Sequence, residues 1–255
     1  MRIEKCAFYV LQYKYGDDVM QRYFAIQKVD NSMILEESDW YHIRRVMRMK
    51  DGDKVEVVFE SKLYICKICD VNDMSSLSIV SEETVFDDFM PQVTLIVPLL
   101  KEQKLDFIFQ KSTELGVSQI IVVPMERTVV KLDEKKDKKL LRWNRICKEA
   151  SEHSKRCQVP EVHFFTNLTE LDCLSGLRLV CSTAETEKNV KKLLQSKIKY
   201  DKLNIVVDPE GGLSIKEEEY FKQIGFIPVT LGKRIMRAET VPLFVLSVLN
   251  YEYME

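Results

Sequence analysis

Long apolar runs, phosphate-cradling glycine loops and histidine are all scarce in this 255-residue chain, and each scarcity removes a class of function. No stretch approaches the roughly eighteen uninterrupted apolar residues that a membrane span needs, so no membrane partner is expected. The opening MRIEKCAFYVLQYK has neither the apolar core nor the cleavage site of a signal peptide, and a cytoplasmic location is the expectation. No G-x-G-x-x-G follows a strand and no G-x-x-x-x-G-K-[ST] occurs, which leaves dinucleotide folds and P-loop enzymes without support. The only histidines are His42, His153 and His163, and neither H-E-x-x-H nor G-x-S-x-G is present. Zinc-protease and serine-hydrolase chemistry therefore lack candidates. The formal net charge of -2 rules out a wholesale basic nucleic-acid binder, so RNA contacts would have to come from local patches. Seven cysteines, an odd number with no secretory signal, imply reduced thiols. Cys66 and Cys69 form a lone C-x-x-C with no second ligand pair, so no metal is expected.

What is present is a chain 45% hydrophobic and 31% charged, long enough to bury a full core and to form two domains. Up to about Asn72 it reads as β-rich, with strand-like runs at Cys6–Leu11, Tyr23–Ile26, Lys54–Phe59 and Leu63–Val71. One helix interrupts them. Ser38 or Asp39 can cap it, with Trp40, Ile43, Val46 and Met47 on one face, before Lys50-Asp51-Gly52-Asp53 turns the chain. A small barrel with one helix is the natural solution, and such barrels often bind oligonucleotides. Residues 1–72 are read as that barrel, 73–92 as an acidic linker, and 93–255 as a second domain. Cations gather at Arg44, Arg45, Arg48 and Lys50, and again along Lys135–Lys148, which includes Arg142; a solvated helix face is the plain reading of the second patch.

From Val93 strands and helices alternate. Val93–Leu99, Gln119–Val123, Val162–Phe165, Leu177–Cys181, Leu203–Val207 and Phe226–Leu231 read as strands. Helices are expected at Lys101–Leu115, about Lys138–Cys157, near Lys188–Leu194, after Ser214, and from Thr240 towards Tyr253. Such alternation means an α/β fold with a mostly parallel sheet, whose ligands sit beyond the carboxyl ends of the strands. Two polar loops lie at that end. In the first, Asp208-Pro209 stops a strand, Gly211-Gly212 permit close backbone approach, and Ser214 with Glu217 forms an S-x-x-E capping box. In the second, Gly232 breaks a strand before Thr240 and Pro242 start the last helix. Both loops are expected to face one small molecule. Glu210 either faces that ligand or caps backbone amides. Lys111 and Glu114, three apart on a helix, are either a surface pair or part of the site.

The blocks HIRRVMRMKDGD (His42–Asp53), QKSTELGV (Gln110–Val117), ERTVVK (Glu126–Lys131), RW with EASEHSKR and VP (Arg142–Pro160), DPEGGLS (Asp208–Ser214) and LGKRIMRAETVP (Leu231–Pro242) resemble the ribosomal RNA small-subunit methyltransferase E family, in order and across nearly the whole chain. The resemblance implies a PUA-like β-barrel followed by a SPOUT domain whose last helix threads a trefoil knot. It implies methylation of N3 of one uridine in 16S ribosomal RNA, free or in the small ribosomal subunit, from S-adenosylmethionine and by a homodimer. Pro209, Glu210, Gly211, Gly212, Leu231, Gly232, Ile235, Met236 and Arg237 would then hold the cofactor. Arg237 would stabilise charge on the uracil carbonyls, and Glu239 would accept the imide proton or orient Arg237. Arg44, Arg45, Arg48, Lys50, Lys111, Arg127, Arg142 and Arg156 would contact RNA. The chain departs from the family pattern at Asp208, where Gly is common, at Ala238 for Thr, at Val241 for Ala and at His153 for Gln. Two alternatives remain open: a methyltransferase of the same architecture acting on transfer RNA, and a non-catalytic RNA-binding module.

Overall fold

The computed structural model describes residues 20–74, 77–84, 91–128, 130, 136–194 and 200–253. The Cys6–Leu11 run lies outside the described residues, as do Lys131 and Lys135. The chain divides into two compact units, Met1–Val85 and Phe86–Glu255.

The first unit is a six-stranded sheet in the order β1-β4-β5-β6-β3-β2, with β1 at Arg22–Phe24, β2 at Gln27–Val29, β3 at Ser32–Ile34, β4 at Lys54–Phe59, β5 at Lys62–Ile68 and β6 at Leu77–Glu83. β1 pairs parallel with β4, and the other pairs are antiparallel. Although β1 and β2 stand at opposite ends of this order, only Ala25 and Ile26 join them. Ala25 N–H donates to Val58 O at 2.9 Å, and Ile26 N–H donates to Ile34 O at 2.8 Å. Consecutive amides thus bond to different strands, and the sheet curls on itself as a small barrel. Tyr23, Met33, Val55, Val57, Tyr64, Cys66, Ile68 and Leu77 fill it, together with Trp40 and Ile43. Part of the segment read as linker is therefore β6, whose Leu77 is fully buried in this core.

Helix α1, Glu37–Tyr41, begins at Glu36 without a side-chain cap, so Ser38 and Asp39 lie inside its first turn rather than at its cap. It continues as a wider π-helical turn over His42–Val46, closed by Met47 N–H to His42 O at 2.9 Å. That wider winding carries Val46 and Met47 off the face shared by Trp40 and Ile43, and they are 58% and 39% exposed. Cys66 is buried in the barrel, where loss of hydration pushes its thiol up to about 12, while Cys69 is exposed with Sγ 3.2 Å from Ser78 Oγ.

The second unit is an all-parallel six-stranded sheet in the order β12-β10-β11-β7-β8-β9. Its strands are β7 Gln92–Pro98, β8 Gln119–Val123, β9 Glu161–Phe164, β10 Leu177–Cys181, β11 Lys202–Val207 and β12 Ile227–Val229. The helices are α2 Glu102–Glu114, α3 Lys136–His153, α4 Val190–Leu194, α5 Ile215–Gln223 and α6 Thr240–Tyr253. Strand side chains alternate between two cores. On β7, Val93, Leu95 and Val97 join a cluster with Leu105, Ile108 and Phe109 of α2, Trp143 and Cys147 of α3, and Val245, Leu246 and Leu249 of α6. Ile96 joins the opposite cluster with Leu171, Leu213, Phe221 and Phe226. Burial on both faces explains why these strands read as continuous apolar runs rather than as alternating ones. The α/β class, the parallel sheet and the preceding curled sheet are those the sequence led us to expect. No helix among the described residues is long and apolar enough to cross a membrane.

Candidate active site

A cavity of about 370 Å³ opens at the carboxyl ends of three adjacent strands: Cys181 ends β10, Asp208 follows β11, and Val229 ends β12. Ligands of parallel sheets bind at this end because the connecting loops splay apart there. Three chain segments wall it. Ser182, Thr183, Glu185, Thr186 and Asn189 follow β10; Asp208 follows β11; and Thr230 to Met236 follow β12, with Val241 of α6 behind. Val229, Leu231, Met236 and Val241 make an apolar wall, and hydroxyl and amide side chains supply a polar rim. This composition and volume suit a nucleoside-sized guest.

Of the residues expected to hold the cofactor, Leu231, Gly232, Ile235 and Met236 line this cavity. Pro209, Glu210, Gly211, Gly212 and Arg237 are not among its lining residues; Arg237 lies on the turn before α6, and the loop of the other four makes contacts of its own. Gly212 has φ +69° and donates its N–H to Pro209 O at 2.8 Å, so its glycine is required by a tight turn. At Gly211 a Cβ would meet Arg127 Cβ at 3.0 Å, and Arg127 Nη1 donates to Gly211 O at 3.1 Å. The absence of a side chain at Gly211 lets Arg127 pack against it. The capping box forms as expected: Glu217 N–H donates to Ser214 Oγ at 3.3 Å, and Ser214 N–H donates to Glu217 Oε2 at 2.8 Å. The buried Glu217 also accepts the Glu126 N–H through Oε1 at 2.7 Å, which pins the loop after β8 to the start of α5.

Beside this loop Lys104 of α2 lies 2.5 Å from Glu210 Oε1 and 3.1 Å from Glu239 Oε2. Glu210 and then Glu239 raise the lysine above its ordinary value. Burial works to raise the Glu239 carboxyl, but its own backbone amide and Lys104 outweigh it and hold the group below the usual range. Glu239 is therefore a carboxylate and a weak base. Arg237, with its side chain 83% exposed, stands 4.0 Å from Glu239 Oε1. Asp208 differs: burial, reinforced by the charge of Glu218 and opposed by its own backbone amide, pushes its carboxyl up to about 6.

The expected RNA contacts divide sharply. Arg45, Arg48 and Lys50 are exposed on the barrel turn, and Arg48 has φ +53°. Arg44 instead lies over the Trp40 ring at 5.4 Å and donates Nε–H to Val71 O at 2.5 Å. In the second unit Lys111 pairs with Glu114 at 2.8 Å, Arg142 pairs with Asp106 at 2.6 Å and with Glu102 at 3.0 Å, and Arg156 donates to Thr113 O at 2.7 Å. The polar segment after β10 and the Lys104 bridge were missed from sequence. A run of Ser and Thr directly after the buried strand Leu177–Cys181 was the available signal for the first.

A parallel sheet with a strand-end cavity of this kind, preceded along the chain by a small curled β unit, is the architecture of an RNA methyltransferase. The family model described as the RNA methyltransferase domain matches residues 88–250, and that of the RNA methyltransferase PUA domain matches residues 38–75. The chain belongs to the ribosomal RNA small subunit methyltransferase E family. It is 36% identical to the Bacillus subtilis member, with 91% of this chain and 97% of the relative covered. The Aquifex aeolicus member is 28% identical, over 90% of this chain and 99% of the relative. A solved structure of the Neisseria gonorrhoeae member bound to S-adenosyl methionine superposes with TM-score 0.80 at 27% identity, covering 91% and 97% of the two chains. A Legionella pneumophila methyltransferase in complex with the same cofactor gives TM-score 0.82 at 26% identity, covering 92% and 98%.

Proposed function

We propose that this protein transfers a methyl group from S-adenosylmethionine to N3 of one uridine in 16S ribosomal RNA, as a cytoplasmic homodimer whose last helix threads a trefoil knot. The observation that carries this reading is the cavity at the ends of β10, β11 and β12, walled by the Thr230–Met236 loop, in a chain of this family. When bound, the donor would supply a sulfonium methyl group for N3 and leave as the neutral thioether, with the imide proton passing to solvent. The apolar wall of Val229, Leu231, Met236 and Val241 excludes water from the reacting atoms, and the bare backbone of Gly232 allows close approach. Arg237 stabilises charge on the uracil carbonyls. Glu239, held below the usual carboxylate range by its own backbone amide and Lys104, stands beside Arg237 and orients it. Arg45, Arg48 and Lys50 hold phosphates, positioning RNA without reading its sequence.

The deciding experiment maps methylation in a strain lacking the gene. Complementation should restore one methyl group to a uridine of 16S ribosomal RNA, read by mass spectrometry of nuclease fragments. Its return in transfer RNA, or in no RNA, would overturn the reading.

A further inference from the structure

We propose that the Asp208 carboxylate makes this cavity prefer a cationic methyl donor over the neutral thioether left after transfer. The inference rests on the reading of the cavity as the S-adenosylmethionine site. The two nucleosides differ by one positive charge, on sulfur, and by the methyl group itself. A wall group that distinguishes them electrostatically must be anionic, partly withdrawn from water and not already neutralised by the protein.

Asp208 meets these conditions. It lines the cavity at the end of β11, is half-buried, and among the described residues forms no ion pair with a lysine, arginine or histidine. The other carboxylate of the lining, Glu185, accepts backbone N–H groups from Glu187 at 2.7 Å and Lys188 at 3.1 Å through Oε1, which holds it below its ordinary value. Its charge serves its own loop. Glu218 of α5 adds like charge to Asp208 and sits 3.4 Å from Ser182 Oγ. Cys181 of β10 feels Asp208 too, but burial pushes its thiol up to about 12, so it stays neutral throughout the range tested. Lys233 and Arg234 lie on the exposed rim, where water screens them. A half-buried carboxylate crowded by Glu218 and with no cationic partner among the described residues is stabilised by a positively charged guest. The same guest lowers the proton affinity of Asp208. The preference is therefore present when Asp208 is ionised and fades as pH falls through about 6.

Calorimetric titration of the full chain with S-adenosylmethionine and with S-adenosylhomocysteine tests this, using wild type, Asp208→Asn and Asp208→Gly near pH 8 and near pH 5. The ratio of the two dissociation constants should favour the donor in wild type near pH 8 and fall about tenfold in both variants. In wild type it should fall by a similar factor near pH 5, while the variants change little. Equal weakening of both nucleosides in Asp208→Asn, or a wild-type ratio independent of pH, would overturn the proposal while leaving the methyl-donor site intact. Failure of wild type to bind either nucleoside would overturn both.

Discussion

Lys104 Nζ lies 3.1 Å from Glu239 Oε2, which ties the start of α2 to the turn that carries Arg237. Its second partner, Glu210, belongs to the loop after β11, so one ammonium spans two loops beside the cavity. Replacing it as Lys104→Met keeps the aliphatic stem and removes the bridge. Turnover should drop about tenfold or more, since small misplacements of reacting groups cost that much. Donor affinity measured by calorimetry should change less than about threefold; an equal loss in both would assign Lys104 to donor binding.

Arg237→Ala should lower the single-turnover methylation rate by roughly a hundredfold while leaving donor affinity near wild type, as expected of a group that stabilises developing charge. Glu239→Gln, which keeps shape and removes charge, should show a smaller fall and no shift in the acidic limb of the pH–rate profile. A lost acidic limb would make Glu239 the proton acceptor.

Asp208 also sets a pH dependence of stability. Its folded value of about 6 lies above the ordinary 3.8, so the folded state binds the proton more tightly than the unfolded chain does. Stability therefore falls as pH rises from about 4 through about 6, and the loss is complete above that. Asp208→Asn removes it. The variant should be more stable than wild type near pH 7.5 by up to about 3 kcal/mol, with the difference vanishing near pH 4. Urea unfolding at several pH values measures this, and a constant difference would contradict it.

Glu217 accepts hydrogen bonds from Ser214 N–H and Glu126 N–H, and its carboxylate is buried. Glu217→Ala orphans both amides. Urea denaturation should show a loss of roughly 2–4 kcal/mol. Glu217→Gln retains one acceptor oxygen and should lose less.

On the barrel turn, Arg45→Gln and Arg48→Gln should weaken RNA binding and flatten its dependence on salt, each by about 0.7–0.9 in the log–log slope. Filter binding across a salt series reads this. Arg44→Gln should act differently, lowering the stability of the first unit with little change in slope, because its guanidinium is engaged with Trp40 and Val71.

Strands β8, β10 and β4 were legible in the sequence to the residue, because β-branched runs bounded by polar turns leave little choice. The Ser214–Glu217 box was equally plain, being a local exchange of hydrogen bonds over three residues. By contrast β2, Gln27–Val29, is wholly exposed and carries no alternation, so its place depends on partners that local pattern cannot reveal. At the site, the loop after the last strand was readable from its glycine break at Gly232, whereas Leu231, Ile235 and Met236 came from the family resemblance. The roles of Gly211 and Glu210 were not readable, since Arg127 and Lys104 reach them from 84 and 106 residues away along the chain. Glycine next to glycine signals permissive backbone; it does not say whether a ligand or a side chain uses the space.

The corner at Ala25 and Ile26 leaves the small β unit without a place to begin unzipping. Two neighbouring peptide groups fasten it to strands on either side of the seam, so neither margin can peel away while the other stays seated. The turn with Arg45, Arg48 and Lys50 belongs to the same unit, so under the proposed function its backbone is set on a hoop rather than a flap before any RNA arrives.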